Sequence, residues 1–128
     1  RQPLKMAEKP RKSYFILLTS YFLLPRSGTS ATSIPLIIEV VSTNWRDDYH
    51  FKYADYEEMG IPEYWIIDYA ALGGRNFIGN PKQPTISICN LIDGEYRITK
   101  FQNDEQIVSQ TFPDLRLTAN QIFQAGAV

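Results

Sequence analysis

Cysteine and histidine are nearly absent from this chain, which holds one of each, Cys89 and His50, in 128 residues. A lone cysteine forms no internal disulfide and, with no companion at ligand spacing, no cysteine zinc site; a reducing cytoplasm is the compartment this implies. With one histidine, a Ser/His/Asp or Cys/His triad could be built only around His50, and no serine or cysteine stands in a nucleophile-elbow pattern. Phosphate-cradling glycine loops and dinucleotide fingerprints are also missing, which argues against nucleotide-driven chemistry. Nor is there a run long enough for an ordinary membrane-spanning helix: the apolar part of SYFILLTSYFLL has about eleven residues where about twenty are needed.

What is present is unevenly distributed. The net charge is −1, but residues 1–33 carry six Lys or Arg against one acid, Glu8, for +5, whereas residues 34–128 carry seven bases against thirteen acids, for −6. A uniformly basic surface of the kind that grips duplex DNA nonspecifically is therefore absent. The first 33 residues read as a divergent or truncated basic segment: a basic stretch, a short apolar run and then the connector SGTSATS. That order resembles a signal peptide, and its alternative is a β-rich or irregular arm, since Tyr14, Phe15, Ile16, Tyr21 and Phe22 favour extended structure. Residues 34–128 read as one domain core, long enough for folding to bury roughly two thirds of the unfolded chain's surface.

From Ile34 the pattern becomes definite. LIIEVVS is a short apolar, β-branched run expected for a strand covered on both faces. Ser42, Thr43 and Asn44 are good helix caps, Asp47 and Asp48 suit a first helical turn, and the spacing predicts a helix from about Trp45 to Met59, stopped by Gly60 and Pro62. EYWIIDY is a second strand, so strand, helix and strand form a tight crossover whose strands are either parallel neighbours or separated in the sheet. A long glycine- and proline-containing loop follows, and Asp93-Gly94 between TISICNLI and EYRITKFQ predicts a hairpin. QIVSQTFP is a candidate short strand, and Thr118 caps a last helix whose Ile122 and Phe123 can dock on the sheet.

Candidate chemistry centres on Glu39, a carboxylate inside an apolar strand. A buried charge needs a partner, a proton or a metal. Glu39 reads either as a structural acid at a strand end or as a metal ligand or general base where open α/β sheets place their sites. On the following helix, Tyr49, Lys52, Tyr53 and Tyr56 share one stripe at helical spacing. Lys52 on that stripe can reach a carboxylate such as Glu39, or form a plain exposed i, i+4 pair with Asp48 worth about 0.3–0.5 kcal/mol. Asp68, closing the second strand, either joins a carboxylate cluster or caps the following turn. Tyr64, Trp65 and the helix tyrosines read as core or interface, and His50 as a partly exposed helix residue.

IPLIIEVVSTNWRDDYHFKYADYEEMGIPEYWIID, with the later DGEY hairpin and TFPDLRLTANQIF, resembles the Uma-two family of candidate endonucleases from about Ile34 to Phe123. The resemblance implies an α/β, restriction-endonuclease-like fold: a mixed β-sheet flanked by helices, related to the PD-(D/E)XK nucleases. In those proteins two acids bind a divalent metal and a lysine positions or activates the attacking water. By the resemblance, Glu39 matches the second acid, and Lys52 on the helix replaces the lysine that usually follows two residues later, where Val41 stands. The first acid should come from an upstream strand as Pro-Asp, yet residues 1–33 contain no aspartate. Asp47 and Asp68 are the substitutes the sequence offers. The implied function is Mg2+- or Mn2+-dependent hydrolysis of DNA phosphodiester bonds, with no membrane partner and a possible homodimer. The alternative is a catalytically incomplete module of the same fold that binds nucleic acid weakly or dimerises.

Overall fold

The computed structural model describes residues 13–16 and 34–126, so the basic start, the leader-like apolar run beyond Ile16 and the connector that follows it lie outside the described residues. Five strands, β1 (Ser13–Ile16), β2 (Leu36–Val40), β3 (Glu63–Asp68), β4 (Thr85–Ile92) and β5 (Glu95–Phe101), form one sheet in chain order. Only β2 and β3 are parallel; the other neighbours are antiparallel. The α/β class and mixed sheet expected from the sequence are therefore observed. Parallel neighbours need a crossover, and helix α1, residues 45–59, supplies it. Two shorter helices follow, α2 (Arg75–Ile78) within the long loop and α3 (Ala119–Gly126) at the end.

The alternation of side chains along β2 divides the core in two. Leu36 and Ile38 join Trp65, Ile67, Ile86, Ile88 and Phe101 on one face, closed by Ile107 and by Phe123 of α3. Ile37 and Val41 point the other way, with Tyr64, Ile66, Cys89 and Tyr96, beneath Tyr49 of α1, Ile61 and Ile78. Glu39 shares the parity of Ile37 and Val41, so the acid faces α1 from inside the sheet.

Local chemistry explains most boundaries. Helix α1 ends at Gly60, whose φ of 83° is left-handed, with its N–H donating to the Tyr56 and Glu57 carbonyls and Ile61 N–H donating to Tyr56 O at 3.0 Å. Asp93 and Gly94 both have positive φ, 54° and 85°, the signature of a two-residue I′ hairpin. Thr118 and Gln121 cap α3 reciprocally, with Gln121 N–H to Thr118 Oγ1 at 3.1 Å and Thr118 N–H to Gln121 Oε1 at 2.8 Å. No helix among the described residues is long and apolar enough to cross a membrane.

Three features differ from the sequence expectation. The first turns of α1, Asp47–Phe51, are π-helical rather than α-helical. QIVSQTFP forms no strand; an isolated bridge between Gln106 and Thr118 is all the ladder it makes. Side chains hold it instead: Glu63 accepts hydrogen bonds from Ser109 Oγ at 2.7 Å and from the Thr111 hydroxyl and N–H at 2.6 and 2.9 Å. Finally, Asp48 is buried rather than exposed.

Candidate active site

Glu39 is 1% exposed, and each of its carboxylate oxygens has a donor from α1. Lys52 Nζ donates to Oε1 at 3.0 Å and Tyr56 OH to Oε2 at 2.8 Å. The same ammonium donates to Asp48 Oδ1 at 3.2 Å. Two buried carboxylates, one from the strand and one from the helix, thus share one lysine whose side chain is 21% exposed. Asp48 and Lys52 are four residues apart in the helix, and Lys52 and Tyr56 four further, so one stripe delivers all three groups. Tyr64 OH, rising from β3, donates to the Asp48 carbonyl at 2.8 Å and anchors the π turn above the sheet.

Burial pushes the Glu39 carboxyl above its usual range; the charge of Lys52 and the hydrogen bonds from Tyr56 and Lys52 pull it back only in part, and Asp48 adds to the rise. For Lys52, burial by itself lowers the pKa, but attraction to Glu39 and then Asp48 outweighs it and holds the ammonium above its ordinary 10.5. Both partners move upward because the carboxylate is the deeper of the two: desolvation wins at Glu39, pairing wins at Lys52.

The other acids are placed elsewhere. Asp68 lies on the same sheet face but accepts the N–H groups of Leu72 and Gly73, both at 2.8 Å, and Tyr49 OH at 3.4 Å. Its carboxylate caps the turn after β3. A Cβ on Gly73 would come within 3.0 Å of Asp68 Oδ2 and 2.9 Å of Tyr49 Cε2, so glycine permits that close approach. Asp47 is half-buried; its N–H donates to Asn44 O at 2.9 Å, and its carboxylate has no hydrogen-bond partner among the described residues. His50 is exposed, packing edge-on against Phe77 at 5.2 Å. Asp48 and Tyr56 are the members of the cluster that the sequence reading did not assign to a site. Their signal was the spacing itself, Asp48, Lys52 and Tyr56 at four-residue intervals.

Among the described residues no three His, Cys, Asp or Glu side chains converge as a metal cluster. The pair that does converge, Glu39 and Asp48, offers hard carboxylate oxygens, which suit Mg2+ or Mn2+, and magnesium is commonly held by one or two carboxylates completed by water and substrate phosphate. The donor set therefore fits such an ion.

A family model described as "putative restriction endonuclease", Uma2, matches residues 22–120. The chain belongs to the Uma2 family. No curated protein matches it. The Uma2 match begins inside the basic N-terminal segment, upstream of Ile34, and runs into the first turn of α3. It spans β2, α1 and β3, so Glu39, Asp48, Lys52 and Tyr56 all lie within it. The mixed sheet with its parallel β2–α1–β3 crossover is consistent with the restriction-endonuclease-like fold of this family.

Proposed function

We propose that this Uma2 domain is a metal-dependent endonuclease that hydrolyses phosphodiester bonds of DNA. The observation that carries the reading is the bonding of Glu39 and Asp48 to one Lys52 ammonium, within the segment that matches an endonuclease family. Glu39 and Asp48 would hold Mg2+ or Mn2+. When bound, such an ion stabilises charge on the scissile phosphate and lowers the pKa of an attached water. Lys52 offsets negative charge developing on the phosphate, because its ammonium remains protonated at neutral pH. Tyr56 orients the Glu39 carboxylate through Oε2, and its hydrogen bond favours the ionised, ligating form.

A second reading draws on the same contacts. An ammonium seated against two carboxylates is also how a closed structural ion cluster looks, and the domain would then act as a nuclease-fold module that binds nucleic acid weakly or dimerises. One experiment separates the two. Supercoiled plasmid is incubated with the protein and Mg2+ or Mn2+, with and without chelator, beside Glu39→Gln, Asp48→Asn and Lys52→Met, each checked for folding by circular dichroism. The nuclease reading expects chelator-sensitive nicking that falls about 100-fold or more in each variant. Folded wild-type protein that leaves the plasmid intact, or nicking that survives all three substitutions, sinks it in favour of the module.

A further inference from the structure

A cleft of about 370 Å3 opens on the same sheet face as Glu39, on the far side of the α1 tyrosines. Its position follows from the strand register. Glu39 on β2 pairs with Ile66 on β3, Ile66 with Ser87 on β4, and Ser87 with Lys100 on β5. At about 4.8 Å per strand, Ser87 stands roughly 10 Å across the sheet from Glu39. The cleft thus neighbours the ion cluster without including any of its members.

The walls are aromatic. Tyr49 stacks on Phe77 with centroids 4.6 Å apart and an interplanar angle of 24°, and Tyr53 is braced edge-on by Tyr96 at 5.3 Å. Ile66 and Ile98 add apolar surface, and Ile98 is notably exposed for an isoleucine. Ser87, Asn76 and Lys100 break the apolar lining. Ser87, 2% exposed, belongs to the floor, and its Oγ has no hydrogen-bond partner among the described residues. A buried hydroxyl left without a partner is costly, and such groups call for an explanation. Lys100 stands at the mouth, where among the described residues its ammonium makes one long contact, 3.5 Å to the Asn76 carbonyl. Among the described residues no acidic side chain lines the cleft, although residues 34–128 carry thirteen acids against seven bases.

An apolar cavity with aromatic walls, one polar group on its floor and one cation at its mouth suits a planar aromatic body with a hydrogen-bonding edge and an anionic end. We propose that this cleft binds a single nucleotide, its base packed against Tyr53 and Phe77 with an edge toward Ser87, and its phosphate at Lys100. Aromatic rings accept any base face, so the site discriminates little by base identity. The choice of a nucleotide over other aromatic anions rests on the DNA reading above; the cleft and its polarity do not. The occupant is either a free mononucleotide or an unstacked nucleotide of a strand approaching Glu39.

The test uses the full chain and isothermal titration with 5′-deoxynucleoside monophosphates, the matching nucleosides, benzoate, a single-stranded tetranucleotide and a blunt duplex. Mononucleotides should bind at one site, about tenfold tighter than nucleosides, and Lys100→Ala should remove that difference. Ile98→Glu, at an exposed position on the cleft wall, should reduce mononucleotide binding at least tenfold without altering the fold. Ser87→Ala should raise thermal stability, by removing the unpaired hydroxyl, while weakening nucleotide binding about threefold. Displacement of the mononucleotide by the tetranucleotide identifies a strand as the source, and failure to displace it identifies the free nucleotide. The proposal is overturned by absence of mononucleotide binding at millimolar concentration, by binding indifferent to both Lys100→Ala and Ile98→Glu, or by benzoate binding as tightly as the nucleotides. Plasmid nicking read in parallel keeps the two proposals apart. An inactive protein that still binds mononucleotides retains the cleft, and a Glu39-dependent nuclease that binds none loses it.

Discussion

At Glu39 burial and pairing act against each other, and that balance governs what the residue can do. Burial lifts its pKa, and the Tyr56 hydroxyl, at 2.8 Å, is one of the groups that lowers it again. In metal-free protein, an NMR-monitored titration should therefore place the Glu39 midpoint above the ordinary 4.5. Tyr56→Phe, which removes a bond to the charged form, should move that midpoint further up and weaken stability at neutral pH by about 1.5 kcal/mol. A midpoint at or below the ordinary value, or one unmoved by the substitution, would contradict the geometry. The stripe of Tyr49, Lys52, Tyr53 and Tyr56 could be read from spacing because helical periodicity is local. The same spacing puts Asp48 four residues before Lys52, but that it is buried rather than exposed depends on what packs against the helix, which spacing does not show.

Among the elements, the β2–α1–β3 crossover was the most legible, its helix ending where a glycine allows φ of 83°. Gly60→Ala should cost about 1 kcal/mol or more in urea unfolding, because a Cβ disfavours that left-handed conformation. The segment after β5 was the least legible. Its β-branched residues promised a strand, but Glu63, on the face opposite Glu39, collects Trp65 Nε1, Ser109 Oγ and two groups of Thr111 and so fixes the segment through side chains. Those partners lie as many as 48 residues from Glu63, beyond the reach of any local pattern. Glu63→Ala leaves several buried donors without an acceptor and should destabilise the domain by about 3 kcal/mol, measured by chemical denaturation. A loss well under 1 kcal/mol would show that water replaces the carboxylate freely.

For the molecule as a whole, the layer between α1 and the sheet is rich in phenols. Burial raises the pKa of Tyr49, Tyr53, Tyr64 and Tyr96 above the ordinary 10.0 and pushes the Cys89 thiol up to about 12. A group whose pKa rises on folding contributes stability that is complete below its unfolded value and lost as pH climbs through its folded value. Urea midpoints should accordingly fall as pH rises beyond about 10, steeply for a domain of this size. Lys52 shifts in the same direction, so wild type should lose more stability than Lys52→Met as pH rises above the ordinary 10.5; parallel curves would show that the ammonium is not held by its carboxylates. The sequence by itself determined the α/β class, the helix over residues 45–59, the Asp93-Gly94 hairpin and the candidacy of Glu39 and Lys52, because periodicity, capping and turn chemistry act over a few residues; the family came from the resemblance of its motifs to the Uma2 signature. Only the tertiary structure decided that β2 and β3 are parallel neighbours, that Asp48 rather than Asp47 or Asp68 joins Glu39, and that a cleft lies beside them. Those outcomes depend on which side chains the crossover brings across the sheet, and a contact between distant residues leaves no mark in local spacing.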